Sequence, residues 1–392
     1  MTYFIMLFVS LLFLPNQKKQ YANINKLKYS KAKPHKHVIR KTDIRYLLAF
    51  LTVFIVSGLR YGVGTDYFYT YAPGYLFIKD YKWYGYYETG FVLINKFCLL
   101  FSGNYQTLFI VTSIIIYGLL FYIIRRYSID PRTSFLVFFL SSMFFNSLSN
   151  IRQAMAMTIC LLAVMNYLEN DKKQIRKLIE FYLLVFLAYE FHTSAIMWAI
   201  IPFVTAFDHF KLKYHVVIAT CLSVIALGLN ISGIASSAFN FFLVAFSRYA
   251  WYESTGAIYL SFLMLNVAIY LLMYLSANYD SRFDKRTIFY LNIQFISVII
   301  MLFSNILPVA ERVARYFMFV QIISSPYFMH MNISSKKREA KIINIVWWIL
   351  LASWCVFYIV KYGADGCFPY QSIVFVKEPW QKRGFGIYTY WR

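Results

Sequence analysis

The sequence predicts an all-α fold: a polytopic helical membrane protein with about 12 membrane segments. Three observations carry the prediction. Of 392 residues, 60% are hydrophobic and only 14% charged, whereas a soluble chain carries about 25% charged residues; the mean hydropathy is +0.54. Apolar runs of near-spanning length recur from end to end. The polar stretches between them are alternately rich and poor in Lys and Arg, as loops on the two sides of a membrane are.

A helix needs roughly 20 apolar residues to cross the hydrocarbon core. Apolar segments fall at 3–15, 46–59, 105–124, 133–149, 152–168, 176–190, 193–207, 214–231, 257–275, 287–307, 313–331 and 342–361. The first, Tyr3–Leu14, has no basic stretch before it and reads as an uncleaved span rather than a cleaved signal peptide. The 176–207 stretch reads as two short helices or one broken one. Residues 88–101 (ETGFVLINKFCLLF) contain Glu88, Asn95 and Lys96 and read as a short or re-entrant helix. The expected organisation is one polytopic domain over 1–392. In it, 16–45 is a basic cytoplasmic loop, 60–106 an outward loop and 362–392 an outward C-terminal tail.

Charge sets this topology. With the N-terminus outside, the inward loops are 16–45, 125–132, 169–177, 208–213, 277–286 and 332–341. They carry 10, 3, 4, 2, 3 and 4 Lys plus Arg, 26 of the 39 in the chain. Counting 88–101 as a full span would put Arg125, Arg126 and the later basic loops outside, against the rule that Lys and Arg collect inside. The net charge of +22 is therefore a topology signal. The 16–45 loop is expected to lie against anionic headgroups, with no nucleic acid as partner. His35 and His37 in PHKH are a weak metal-like pair within this polar loop. The five cysteines, Cys98, Cys160, Cys221, Cys355 and Cys367, form no CxxC pair and read as buried free thiols, not a disulfide framework or a zinc site. Neither GxxxxGK[ST] nor GxGxxG occurs, so no nucleotide loop is visible, and no cofactor or metal is expected.

The stretch LRYGVGTDYFYTY, Leu59–Tyr71, opens the first outward loop with an arginine, two glycines, an aspartate and five aromatic residues. Further outward groups are Asn150, Arg152 and Gln153 in SLSNIRQAMA, Glu190 and His192 in YEFHTSA, Arg248, Tyr249 and Glu253 in SRYAWYE, and Glu311, Arg312 and Arg315 in PVAERVARY. Arg60, Arg152, Arg248, Arg312 and Arg315 resist the topology rule. Arginine near a hydrocarbon core is costly and faces a cavity, a partner or an anion. Several of these sit at the first turn of a helix, where free N–H groups also favour anions. The guanidinium fork matches phosphate oxygens. The set points to a lipid-linked phosphate or diphosphate, although any one of the five has snorkelling to the headgroups as its plainer role. Asp66, behind GVGT, either caps the next turn or brings a carboxylate to the membrane surface. His192 either takes a proton from a sugar hydroxyl or is a hydrogen-bonded structural group. The outward Tyr and Trp residues fit sugar stacking and an interfacial aromatic belt equally.

Taken in order, RYGVGTDYFYTY, ETGFVLINKF, NIRQAMAMTICLLA, the FHTSA stretch and ERVARYF resemble the EpsG family, which belongs with the Wzy-like bacterial polysaccharide polymerases. The resemblance runs from the first span to Pro369–Tyr370. It implies a multi-pass protein of the bacterial cytoplasmic membrane with a GT-C-like polymerase/ligase architecture. Its site would face outward and make exopolysaccharide or capsular polysaccharide from undecaprenyl-diphosphate-linked oligosaccharide. It implies an inverting, metal-independent glycosyltransferase, with the bilayer, a flippase and chain-length regulator proteins as partners. By motif, Arg60, Gly64, Asp66 and Tyr67 match the first signature, Arg152 and Gln153 the second, His192 the third, and Arg312 or Arg315 the last. Glu190 stands where an apolar or small residue is expected. On this footing Arg60, Arg152, Arg312 and Arg315, with Arg248 beside them, are assigned to the diphosphate. Tyr67 and Gln153 join the substrate contacts, and Asp66 or His192 activates the acceptor hydroxyl. The rivals are a polysaccharide transporter or flippase, an O-antigen ligase and a membrane acyltransferase. A transporter would place charges at the bilayer midplane on broken, repeated helices, whereas here they gather at helix ends on one side.

Overall fold

The computed structural model describes residues 1–15, 41–82, 85–169, 173–206, 212–231, 234, 237, 259–307, 309–335 and 337–376. Residues 16–40 of the expected cytoplasmic loop, Arg248, and the tail beyond 376 lie outside the described residues. The described residues are helical and form no strand; Arg60 and Ser372 make an isolated antiparallel bridge. The chain divides into two compact units, Met1–Ile196 with Ile349–Arg392, and Met197–Trp348.

The first unit contains α1 (Thr2–Phe13), α2 (Lys41–Gly58), a π-turn (Tyr67–Tyr71) running into α3 (Ala72–Tyr81), α4 (Thr89–Leu99), α5 (Gln106–Tyr127), α6 (Pro131–Leu140), α7 (Met143–Ser149), α8 (Ile151–Glu169) and α9 (Gln174–Tyr189), after which a 3-10 helix starts at Thr193. The second contains α10 (Ile201–Ala206), α11 (Leu212–Ile231), α12 (Leu260–Tyr279), α13 (Lys285–Leu302), α14 (Ala310–Met318) and α15 (Gln321–Ser334). The last helix, α16 (Arg338–Gly366), gives its start to the second unit and its end to the first. Five helices among the described residues, α5, α8, α12, α13 and α16, are long and apolar enough to cross a membrane.

Several expected segments are broken. The 133–149 run is two helices because Ser142 adopts φ 67, a left-handed conformation that ends α6 and re-aims α7. The 313–331 run breaks at Phe319–Val320 into α14 and α15. The 176–207 stretch breaks at Glu190–His192 and continues as a 3-10 helix. Helix α4 has 11 residues, too few to cross a membrane.

Helix ends in the first unit sort into two sets. At one end, Arg45 donates to the Phe13 carbonyl (2.8 Å) and Arg132 to that of Leu14 (2.9 Å). Asp43 pairs with Arg125 there, and Tyr127 bonds Asn166. Arg126, Lys173 and Arg176 lie in the adjoining helix ends and connections. At the other end, Gln106 Nε2 reaches the Gly58 carbonyl (2.7 Å), and the Thr65 and Ser149 hydroxyls meet at 2.6 Å. Tyr3, at the start of α1, donates to the Cys367 carbonyl (2.8 Å) and packs edge-on against Phe144, Phe145 and Phe368. The second unit repeats the pattern. Asp284 caps α13 through the Thr287 N–H (2.8 Å) in a basic end with Arg282, Arg286 and Lys337. Burial opposes the charge of Asp284. Hydrogen bonds from Thr287 and Tyr327 and the nearby Arg282 outweigh it and hold the carboxyl below its usual range. Between the ends of this unit, fully buried Asn266, Gln294, Ser297 and Gln321 are linked by hydrogen bonds, as polar groups removed from water require, with the Gln321 Oε1 left without a partner among the described residues.

The end that gathers Gly58, Gln106 and Ser149 is closed by the chain on either side of α16's last turn. Gly363, Ala364, Asp365 and Gly366 all have positive φ (58, 48, 55 and 74). Such backbone costs about 1–3 kcal/mol per strained residue and persists only where its surroundings hold it. Here the Asp365 carboxylate accepts from Tyr358 (2.7 Å) and Asn146 (3.2 Å), while its carbonyl and that of Gly366 accept the N–H groups of Thr65 (2.9 Å) and Gly64 (3.1 Å). Gly64 itself has φ 93, and a Cβ there would stand 2.9 Å from the Leu148 carbonyl oxygen. Gly64→Ala is therefore expected to lower the midpoint of thermal unfolding in detergent. Gly118→Ala, mid-helix with only an ordinary 3.9 Å contact to Phe50, should leave it unchanged or raise it. Equal midpoints for wild type and Gly64→Ala would contradict this role of the turn.

Candidate active site

Two of the expected ligands are parts of the frame. Arg60 is 1% exposed. Its guanidinium donates to the carbonyls of Ser57 and Leu148 (3.1 Å for the latter) and to the Ser113 hydroxyl (3.4 Å), and lies 4.9 Å from the centre of the Phe109 ring. It thus joins the ends of α2, α5 and α7. Tyr67 is buried, stacks on Phe109 at 3.9 Å and donates to Gln106 Oε1 (2.7 Å), whose amide nitrogen holds the end of α2. Gln153 is 2% exposed in α8.

Arg152 is placed differently. It sits in the first turn of α8, its side chain 12% exposed. Nη1 donates to Glu88 Oε2 at 2.7 Å and to the Tyr86 carbonyl at 3.3 Å. The rings of Tyr86 and Tyr87 each lie 5.0 Å from the guanidinium carbon, a favourable cation–π distance. Its Nε has no hydrogen-bond partner among the described residues. The pair with Glu88 is nearly buried, and breaking such a pair from one side leaves an uncompensated charge at a cost of about 3–5 kcal/mol.

Around this pair stand the two candidate proton acceptors. Asp66 precedes the π-turn without capping it through its side chain, so the capping role open to it in the sequence is not the one it plays. Its charge reaches the Tyr71 hydroxyl. Burial pushes that phenol up, Asp66 adds to the shift and Arg152 opposes it. The same hydroxyl accepts the Arg152 backbone N–H at 3.4 Å. Tyr71 and Arg152 therefore share one locality, and Asp66 acts on it through its charge. His192 follows the end of α9. Its Nδ1 accepts the Ser194 N–H (3.3 Å) while Glu88 Oε1 accepts the Thr193 N–H (3.4 Å), so two free N–H groups at the start of the 3-10 helix find side-chain acceptors. An imidazole that accepts through Nδ1 carries its proton on Nε2 when neutral. That tautomer, assigned from the hydrogen bond, makes Nε2 a donor rather than a base.

Arg312 and Arg315 lie in the second unit on α14, half-buried, with the Arg315 guanidinium 5.0 Å from the Phe262 ring. Four residues that sequence reasoning did not assign belong to the Arg152 cluster: Tyr71, Tyr86, Tyr87 and Glu88. A carboxylate directly before an apolar helix was the visible signal for Glu88; its partners, 64 and 105 residues away, carried none. Among the described residues no three His, Cys, Asp or Glu are grouped to hold a metal ion.

The family model described as EpsG family matches residues 43–372, from the start of α2 to the bridge partner of Arg60. No curated protein and no solved structure gives a match.

The frame role of Arg60 has a direct check. Arg60→Met keeps length but strands buried carbonyls, each at about 1–3 kcal/mol. The variant is expected to unfold at a clearly lower temperature in detergent; an unchanged midpoint would contradict the role.

Proposed function

The chain belongs to the EpsG family, and on that premise we propose that it polymerises a bacterial exopolysaccharide or capsular polysaccharide. It transfers glycan from undecaprenyl diphosphate to a lipid-linked repeat at the outer face of the cytoplasmic membrane. The observation that carries the proposal is the Arg152 cluster: a guanidinium at a helix start, paired with Glu88 and packed by two tyrosines, with the Tyr71 hydroxyl on its backbone N–H.

In the proposed reaction the acceptor hydroxyl attacks the anomeric carbon from the face opposite the diphosphate. The anomeric C–O bond breaks and its electrons leave with the diphosphate, so configuration inverts. Arg152 stabilises the charge that grows on the leaving group, which is most effective where water is excluded. The helix start adds N–H groups of the right sign. Asp66 takes the acceptor proton, and His192, carrying a proton on Nε2, serves as a hydrogen-bond donor to substrate oxygen. Arg312, Arg315 and Arg248 remain proposed anion contacts, and Gln153 supports the helix that presents Arg152. No metal enters this scheme. About 12 membrane segments in a GT-C-like arrangement, with both termini outside, complete the proposal. The basic helix ends, opposite the Arg152 end within the first unit, support that orientation.

Purified protein given a lipid-linked repeat is expected to yield a ladder of polymer. Arg152→Lys retains the charge beside Glu88 but loses the fork and should slow the reaction at least tenfold, roughly 1.4 kcal/mol. Asp66→Asn should lose about 10²–10⁴-fold, the scale of general-base catalysis. No polymer from the wild type would refute the polymerase proposal; transfer to a different acceptor would mark a ligase; a wild-type rate for Asp66→Asn would remove the base. Topology is checked separately in a Cys221→Ala background, since Cys221 is exposed. Lys79→Cys should react with an impermeant thiol reagent added to intact cells and Lys173→Cys should not. The reverse pattern would invert the orientation.

A further inference from the structure

Glu88 is the N-cap residue of α4 yet makes no side-chain hydrogen bond to its own helix. A carboxylate at that position ordinarily accepts from the first turn of the helix it precedes. Instead one oxygen holds Arg152 Nη1 (2.7 Å) in α8 and the other the Thr193 N–H (3.4 Å), beside His192. The residue is 8% exposed. Nothing in the backbone of α4 requires this arrangement, but the packing is built for it. At Gly90, in the first turn of α4, a Cβ would stand 2.6 Å from the Glu190 carbonyl oxygen, so only glycine lets this turn seat against the end of α9.

We propose that Glu88 is a positioning residue for glycan transfer, holding the diphosphate-binding Arg152 and the His192–Thr193 turn in one fixed geometry. The inference rests on the polymerase reading above. A guanidinium aimed at a leaving group helps only if its plane is set before the substrate arrives. Glu88 engages Nη1, the Tyr86 and Tyr87 rings pack at the guanidinium, and Nε has no partner among the described residues. The ion pair thus fixes the group by one nitrogen without taking its whole donor edge. The negative charge of Glu88 does not itself attract a diphosphate. Removing it should therefore spare binding while releasing the orientation, which a purely structural role would not do.

The test compares wild type, Glu88→Gln and Glu88→Asp as purified full-length proteins in detergent, each normalised to folded protein. The readouts are polymerisation kinetics with a lipid-linked repeat and binding of undecaprenyl diphosphate. Glu88→Gln is expected to keep or tighten lipid diphosphate binding and to hold KM for the donor within a few-fold. Its kcat should fall by about 10–100-fold, the scale of a misplaced reacting group. Glu88→Asp, which retains the charge on a shorter stem, should recover part of kcat. Wild-type kcat per folded molecule in Glu88→Gln would overturn the proposal alone. So would weakened binding with kcat unchanged, which would make Glu88 a binding residue. An inactive wild type would sink the polymerase reading, and this proposal with it.

Discussion

Burying a guanidinium is costly unless its donors meet acceptors, and the first unit does so twice at the same end. Arg60 is compensated by carbonyl oxygens and a hydroxyl of α2, α5 and α7. That solution is neutral and ties three helices together, although the Arg60 Nε meets no acceptor among the described residues. Arg152 is compensated by a carboxylate and two aromatic rings, and its Nε likewise has no partner among the described residues. The two arginines thus differ in their partners: Arg60 meets neutral groups of three helices, Arg152 the carboxylate of Glu88. The left-handed Gly363–Gly366 turn serves the frame as well. Its strain is held by Tyr358 and Asn146, and its carbonyls clamp Gly64 and Thr65 immediately before Asp66. The backbone leading into Asp66 is thereby held in one conformation.

How much of this was legible in the sequence depends on the range of the forces involved. Helices, the shortness of 88–101 and the glycine-shaped turn before Asp66 follow from local hydropathy and local backbone chemistry. The breaks at Ser141–Ser142 and Phe319–Val320 carry no Gly or Pro, the residues that usually announce a break. Arg60 and Arg152 send the same sequence signal, an arginine at the end of an apolar run. Arg60's partners Ser113 and Leu148, 53 and 88 residues away, decide that it is internal. Likewise Asp66 looked equally suited to capping until the π-turn formed without its side chain, and the His192 tautomer depended on the Ser194 N–H. Side-chain partnership across elements is the information that a one-dimensional pattern lacks.

The segregation of charge between helix ends links topology to chemistry. The basic residues Arg45, Arg125 and Arg132 lie at one set of helix ends of the first unit, bonded to Asp43 and to the carbonyls at the end of α1. The arginines left over at the opposite end are few enough for each to need a specific explanation, which hydropathy alone would never require of them. The polar set Asn266, Gln294, Ser297 and Gln321 of the second unit, by contrast, is bonded within itself except at the Gln321 Oε1.

The central claim is that Arg152 addresses a lipid-linked diphosphate, and binding measures it most directly. Purified protein in detergent is titrated with undecaprenyl diphosphate and with undecaprenol, which shares the chain and lacks the charge. The account predicts that the wild type prefers the diphosphate by roughly tenfold or more, about 1.4 kcal/mol, and that Arg152→Lys loses most of this preference while remaining folded. A wild type that binds the two lipids equally, or a preference untouched by Arg152→Lys, would contradict it.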